Sequence, residues 1–222
     1  MKIRASVLAA GLLIAATASV SHAAPAKKVC NLIKDVKGDA TASAMPGNSS
    51  QDLVGGDVAS DAKQLTAVLR VDKIINPDPE APLGQSYFLV FTVKGFADSL
   101  FVSVGLYPTG NEFKYGWQGP DPNTGVNTSY TLGDAKGVID TKKNELRVTA
   151  PFSAWKAQVK LAKGGQIRSM TAEARRVYGQ RLVPSQEVNG VRVPIGGVTL
   201  TFDTATGKTY TLGAPSCVAV GK

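Results

Sequence analysis

YFLVFTVKG (residues 87–95) and LFVSVGLYP (100–108), separated by Phe96-Ala97-Asp98-Ser99, decide the fold of this chain. Both runs are rich in β-branched and aromatic side chains, which suit a pleated surface better than a helix. The short connection makes them a hairpin, and their nearly continuous apolar character gives them a central, well-covered place in a sheet.

Working outward, QLTAVLRV (64–71) alternates, with Leu65, Ala67, Leu69 and Val71 on one face, and pairs naturally with DLVGGDVAS through Asp61-Ala62-Lys63. INPDPEAPLG (75–84) holds three prolines and reads as a loop. FKYGWQG (113–119), SYTLG (129–133), GVID (137–140) and ELRVTAP (145–151) follow as strands, with PDPNTG (120–125) and Asp140–Asn144 as turns. Near the end, VTLTFD (198–203) and KTYTLG (208–213) form an expected hairpin through Thr204-Ala205-Thr206-Gly207. GQIRSMTAEARRVY (165–178) fits two templates. Ile167, Met170, Ala174, Val177 and Tyr178 share a helical face, so a short helix near 165–178 competes with the strand that the surrounding spacing favours. Short strands, 23 glycines and 12 prolines point to an all-β, antiparallel, immunoglobulin-like β-sandwich built as a single domain over residues 24–222.

Residues 1–23 read as a cleavable signal peptide: Lys2 and Arg4, an apolar run to about Val20, then Ser21-His22-Ala23. That run is too alanine-rich for a membrane span and nothing later approaches one, so the expectation is a secreted, extracellular protein with no transmembrane segment in the mature chain. His22 is the only histidine and leaves with the signal, which excludes Ser-His-Asp and Cys-His catalysis and histidine-ligated metals. Cys30 and Cys217 have one available pairing, a disulfide joining the two ends of the domain in an oxidising compartment. Loss of Lys2 and Arg4 from 25 basic residues leaves 23 against 17 acidic ones, a net charge of +6; such a field favours anionic polymers or surfaces.

Three constellations carry the candidate chemistry. Asp35 and Asp39 flank Gly38 in DVKGDA (35–40), and with Asp52 they make an oxygen-rich set suited to Ca²⁺, although aspartates at strand ends also cap turns. Tyr115, Trp117 and Trp155 belong to an aromatic group that either stacks on sugar rings or fills a two-sheet core. Lys142, Lys143, Arg147, Lys156, Lys160, Lys163, Arg168, Arg175, Arg176 and Arg181 form a basic stretch that either meets wall phosphates or is simply solvated. No nucleic-acid motif accompanies it.

DVKGDA, followed by Asp52-Leu53-Val54, Val58–Asp61 and Leu65–Val68, and later Gly137–Asp140, Asn144–Val148, Pro151 and Asp203-Thr204-Ala205 with Cys217, resembles the secreted bacterial β-sandwich domains of the glucodextranase C-terminal type. These are related to the DOMON and family-nine carbohydrate-binding sandwiches. The resemblance implies sugar binding, calcium binding or attachment to an enzyme. Haem, which DOMON relatives hold through histidine or methionine, does not suit a mature chain with no histidine and only Met45 and Met170 as methionines. The expectation is a secreted, non-catalytic β-sandwich that binds a surface glycan or cell-wall polymer, with a structural Ca²⁺ as its only cofactor if it has one. The alternative is a structural or protein-interaction module, a partner or inhibitor of an exported enzyme.

Overall fold

The computed structural model describes residues 27–42, 45–179, 187–188, 191–192 and 198–221; the signal-peptide reading of residues 1–23 lies outside them. The elements are β1 (Ile33–Lys34), β2 (Thr41–Ala42), β3 (Met45–Pro46), β4 (Leu53–Ser60), β5 (Gln64–Val71), β6 (Gln85–Val93), β7 (Ser99–Tyr107), β8 (Gly110–Pro120), β9 (Asn127–Asp134), β10 (Lys136–Asp140), β11 (Glu145–Pro151), a 3₁₀ turn (Phe152–Trp155), β12 (Gln166–Gly179), β13 (Glu187–Val188), β14 (Val191–Arg192), β15 (Val198–Gly207) and β16 (Tyr210–Thr211). The domain is all-β, and every pairing between these strands is antiparallel.

One sheet of 12 strands runs β10-β11-β5-β4-β1-β15-β12-β6-β7-β8-β9, with β16 added to β12. Its two outermost strands, β9 and β10, are consecutive in the chain, so the sheet curls until its edges meet through Ala135. The Ala135 amide donates to the Phe113 carbonyl at 2.8 Å. The 3₁₀ turn after β11 packs against β8 and β9, and its Trp155 is fully buried and donates Nε1–H to the Gly116 carbonyl at 2.8 Å. Inside lie Leu53, Val58 and Leu65 from one half and Tyr87, Leu89, Phe91, Leu100 and Val102 from the other. Each such side chain contributes about 1.5–3 kcal/mol through burial.

The opposite side of the sheet is thinner. There β1, two residues long, is the splice between β4 and β15: Ile33 pairs with Gly56 on one side and Gly207 on the other. A Cβ on Gly207 would run into the side chains of Ile33 and Met170, which pack over this position and favour glycine there.

The strand favoured for residues 165–178 is the one that forms, and the competing helix is absent: residues 166–178 lie in β12, where Met170, Ala172, Ala174 and Arg176 alternate inward. Ile167 joins the same face because Arg168 is an extra, bulged residue: Ile167 pairs with Val93 and Ser169 already with Thr92. The bulge turns a period of two into an apparent helical spacing of three. The terminal hairpin is also absent. β15 runs on through Gly207, and β16 pairs with Gln166 and Ile167 of β12 instead.

Candidate functional site

DVKGDA leaves β1 at the splice. Asp35 accepts from the Val36 amide at 3.0 Å, and Gly38 takes a φ of +89°, a left-handed conformation open to glycine at no steric cost. The Gly38 amide then donates to Asp52 Oδ2 at 2.8 Å, which sets the turn against the residue preceding β4. From the other half of the sheet comes Asp203. Its neighbour Phe202 is an extra residue in β15, since Ala174 pairs with Asp203 and Arg175 with Thr201. The Asp203 carboxylate accepts from the Leu53 amide at 2.7 Å and from the Thr204 amide at 2.6 Å, bridging β15 to the start of β4.

The structure thus brings Asp35, Asp39 and Asp203 together, with one carboxylate oxygen of each within 4.8 Å of the others. Asp52 belongs to the surroundings of this trio and not to it, a correction to the expected set of Asp35, Asp39 and Asp52: its Oδ2 is committed to the Gly38 turn. Asp203 was missing from that set because a bulge far along the chain delivers it. A single acid closing the otherwise apolar and hydroxylic VTLTFD was the available signal.

Electrostatically the site is uncompensated. Burial, then the neighbouring Asp35 and Asp39 charges, push the Asp203 carboxyl up to about 6, even though two amides hydrogen-bond to it. Asp35 is raised by burial and by Asp39 and Asp52; Asp52 is raised by burial and by Asp72 and Asp39. Lys37, the cation within the turn, pairs with Asp72 at 2.5 Å instead. Among the described residues no ion pair reaches Asp35, Asp39 or Asp203. Asp35 Oδ2, within the trio, and Asp52 Oδ1, beside it, are buried with no hydrogen-bond partner; Asp203 could supply one to Asp35 only if one of the two were protonated. Buried acceptors of this kind are costly unless a proton or a cation satisfies them.

A polar network fixes the approach to Asp52. Asp78, from the proline-rich loop, accepts from Asn48 Nδ2 at 3.0 Å and from Ser50 Oγ at 2.7 Å; Gln51 donates to Gln85 at 2.7 Å and accepts from Arg176 at 2.6 Å. Tyr87 donates to the Ser50 carbonyl at 2.6 Å. The Asn48 amide is therefore occupied within the fold.

The aromatic candidates lie largely in the core. Trp155, expected to bind a ligand, is 0% exposed and edge-packed on Phe91 and Tyr115, so it has no face for a sugar. Tyr115 and Trp117 are half-buried against that core; Trp117 is stacked on Tyr130 with ring centroids 4.3 Å apart. Cys30 and Cys217 form the expected disulfide. The basic stretch divides: Arg147 and Arg175 pair with Glu145 and Glu173, while Arg176 enters the buried network and lies over Phe202. Arg181 lies outside the described residues. No helix among the described residues is long and apolar enough to cross a membrane.

No family model, curated protein or solved structure matches the chain.

Proposed function

We propose that the protein is an exported, non-catalytic β-sandwich that binds a surface glycan or wall polymer and carries a Ca²⁺ ion at the acidic splice. The observation behind the ion is the convergence of Asp35, Asp39 and Asp203, where Asp35 Oδ2 and the neighbouring Asp52 Oδ1 are buried without partners. Calcium takes six to eight oxygens in flexible geometry, which suits carboxylates from a turn and a strand supplemented by water. Here the ion's task is structural: it offsets the repulsion at the joint between the two halves of the sheet.

Titration calorimetry of the EDTA-treated full chain tests the ion directly. The expected result is one Ca²⁺ per chain, with binding abolished in Asp39→Asn, whose exposed side chain has no structural hydrogen bond, and in Asp35→Asn. A flat titration of the intact protein, with no rise in its melting temperature, sinks the metal reading. Retention on isolated cell walls tests the polymer reading separately.

A further inference from the structure

A cleft of about 470 Å³ opens between the end of β6 and the loop that leads into β12. Val93, Val159, Leu161 and Leu212 give it an apolar lining, and Lys94 and Lys160 stand in its wall beside the backbone of Gly164 and Gly165. Lys163 lies between two lining residues with its stem against Gly213. Lys94, Lys160 and Lys163 are exposed, and none of them forms an ion pair among the described residues. The sequence here is free of acids: no Asp or Glu occurs between Leu146 and Ala172, or from Thr204 to the end. The loop before β12 and the segment after Asp203 therefore place no counter-charge beside the three ammonium groups; the acids nearest them in sequence are Asp98, in the turn after Lys94, and Glu173, which pairs with Arg175.

We infer that this cleft is the polymer-binding site and that its ligand is an anionic polyol phosphate, a chain of short carbon units joined by phosphodiesters; the inference rests on the polymer-binding reading above. Lysine ammoniums are compact, flexible point charges that suit successive phosphates without demanding one bidentate geometry. The apolar strip between them accepts the carbon backbone. A neutral glycan would call for exposed aromatic platforms, and the cleft has no aromatic residue in its lining; Trp155 is buried elsewhere and half-buried Trp117 is stacked on Tyr130. Paired phosphates release counterions when lysines replace them, so binding weakens with salt in proportion to the number of contacts.

Binding of a glycerol-phosphate oligomer to the full chain, followed by calorimetry at low and moderate salt, is the experiment, with dextran as a neutral polymer and polyglutamate as a carboxylate polyanion. The oligomer is expected to bind with marked salt dependence, and Lys94→Gln/Lys160→Gln to lose at least tenfold in affinity with an unchanged melting temperature. Lys136→Gln/Lys142→Gln, which removes the same charge from β10 and its turn, leaves binding within about twofold if the cleft is the site. Equal losses in the two double variants overturn the inference, because the attraction is then diffuse. Polyglutamate binding as tightly as the oligomer, or dextran binding alone, also overturns it while leaving the polymer reading in place. If the chain binds none of the three and is not retained on isolated cell walls, both fail.

Discussion

Asp203 bonds to two backbone amides while facing Asp35 and Asp39, and its carboxyl, pushed up to about 6, titrates above the ordinary 3.8. The sign of the linkage follows. Between about pH 4 and 6 the folded, ion-free chain holds a proton there that the unfolded chain has released, so this group's contribution to stability falls as pH rises through that window. A shift of this size corresponds to something on the order of 2–3 kcal/mol. At the proposed site, calcium would supply positive charge only when the carboxylates are ionised. Melting temperatures with calcium and with EDTA should therefore converge near pH 4 and separate towards pH 7. Asp78 and Glu145, whose carboxyls are held low by hydrogen bonds and by arginines, contribute to both curves and cancel in the difference. Carbon-13 titration of Asp203 is the direct check. An apparent pKa near 4 without calcium would falsify the assignment.

At the scale of elements, β12 shows how one residue alters the reading of a strand. Because Arg168 is the extra residue of a bulge, deleting it leaves Ile167, Met170, Ala172 and Ala174 on one face in a regular ladder. Deleting Thr171 instead turns Met170 to solvent and Ser169 inward. The first deletion is expected to cost about 1 kcal/mol or less, the second several kcal/mol or the fold itself, as urea unfolding would measure. Comparable destabilisation by both would contradict the bulge. The same contrast explains what the sequence made legible. QLTAVLRV, YFLVFTVKG and LFVSVGLYP are strands where their alternation or β-branched density places them, because local pattern and tertiary burial agree there. The path of β15 past Asp203 and the pairing of β16 with β12 depend on which strand happens to lie alongside, and no local pattern encodes that. Asp35 and Asp39 were legible as a turn pair because they are four residues apart. Their third partner arrives through the bulge at Phe202, and Trp155 is core because the curled sheet brings β8 and β9 against the 3₁₀ turn that follows β11.

For the whole molecule, the closed side and the spliced side of the sheet are stabilised differently. The closed side is filled by Trp155, Phe91 and Tyr115, whereas the splice depends on β1, which is only two residues long. β1 is pinned at both ends: Cys30, three residues before it, is bonded to Cys217, and Asp35, immediately after it, enters the acidic trio. The disulfide closes a loop spanning 187 residues, which in the chain-entropy model stabilises by roughly 5 kcal/mol at most. Without it, Val29 still pairs with Pro215 and Cys217 through backbone hydrogen bonds, so the ends remain close but less constrained. Looser ends widen the range of positions open to Ile33 and Lys34, and with them Asp35, before the ion can bind. Disulfide and ion restrict the same short segment, so each should strengthen the other, and by thermodynamic reciprocity the coupling is equal in both directions. Cys30→Ser/Cys217→Ser should bind Ca²⁺ at least about fivefold more weakly than the oxidised protein, and calcium should make the native disulfide harder to reduce. Calorimetry on the variant and thiol-exchange titration of the parent protein measure the two sides of that cycle. Identical calcium affinities with and without the disulfide would mean that β4 and β15 alone hold the acidic residues in place, and that β1 follows them.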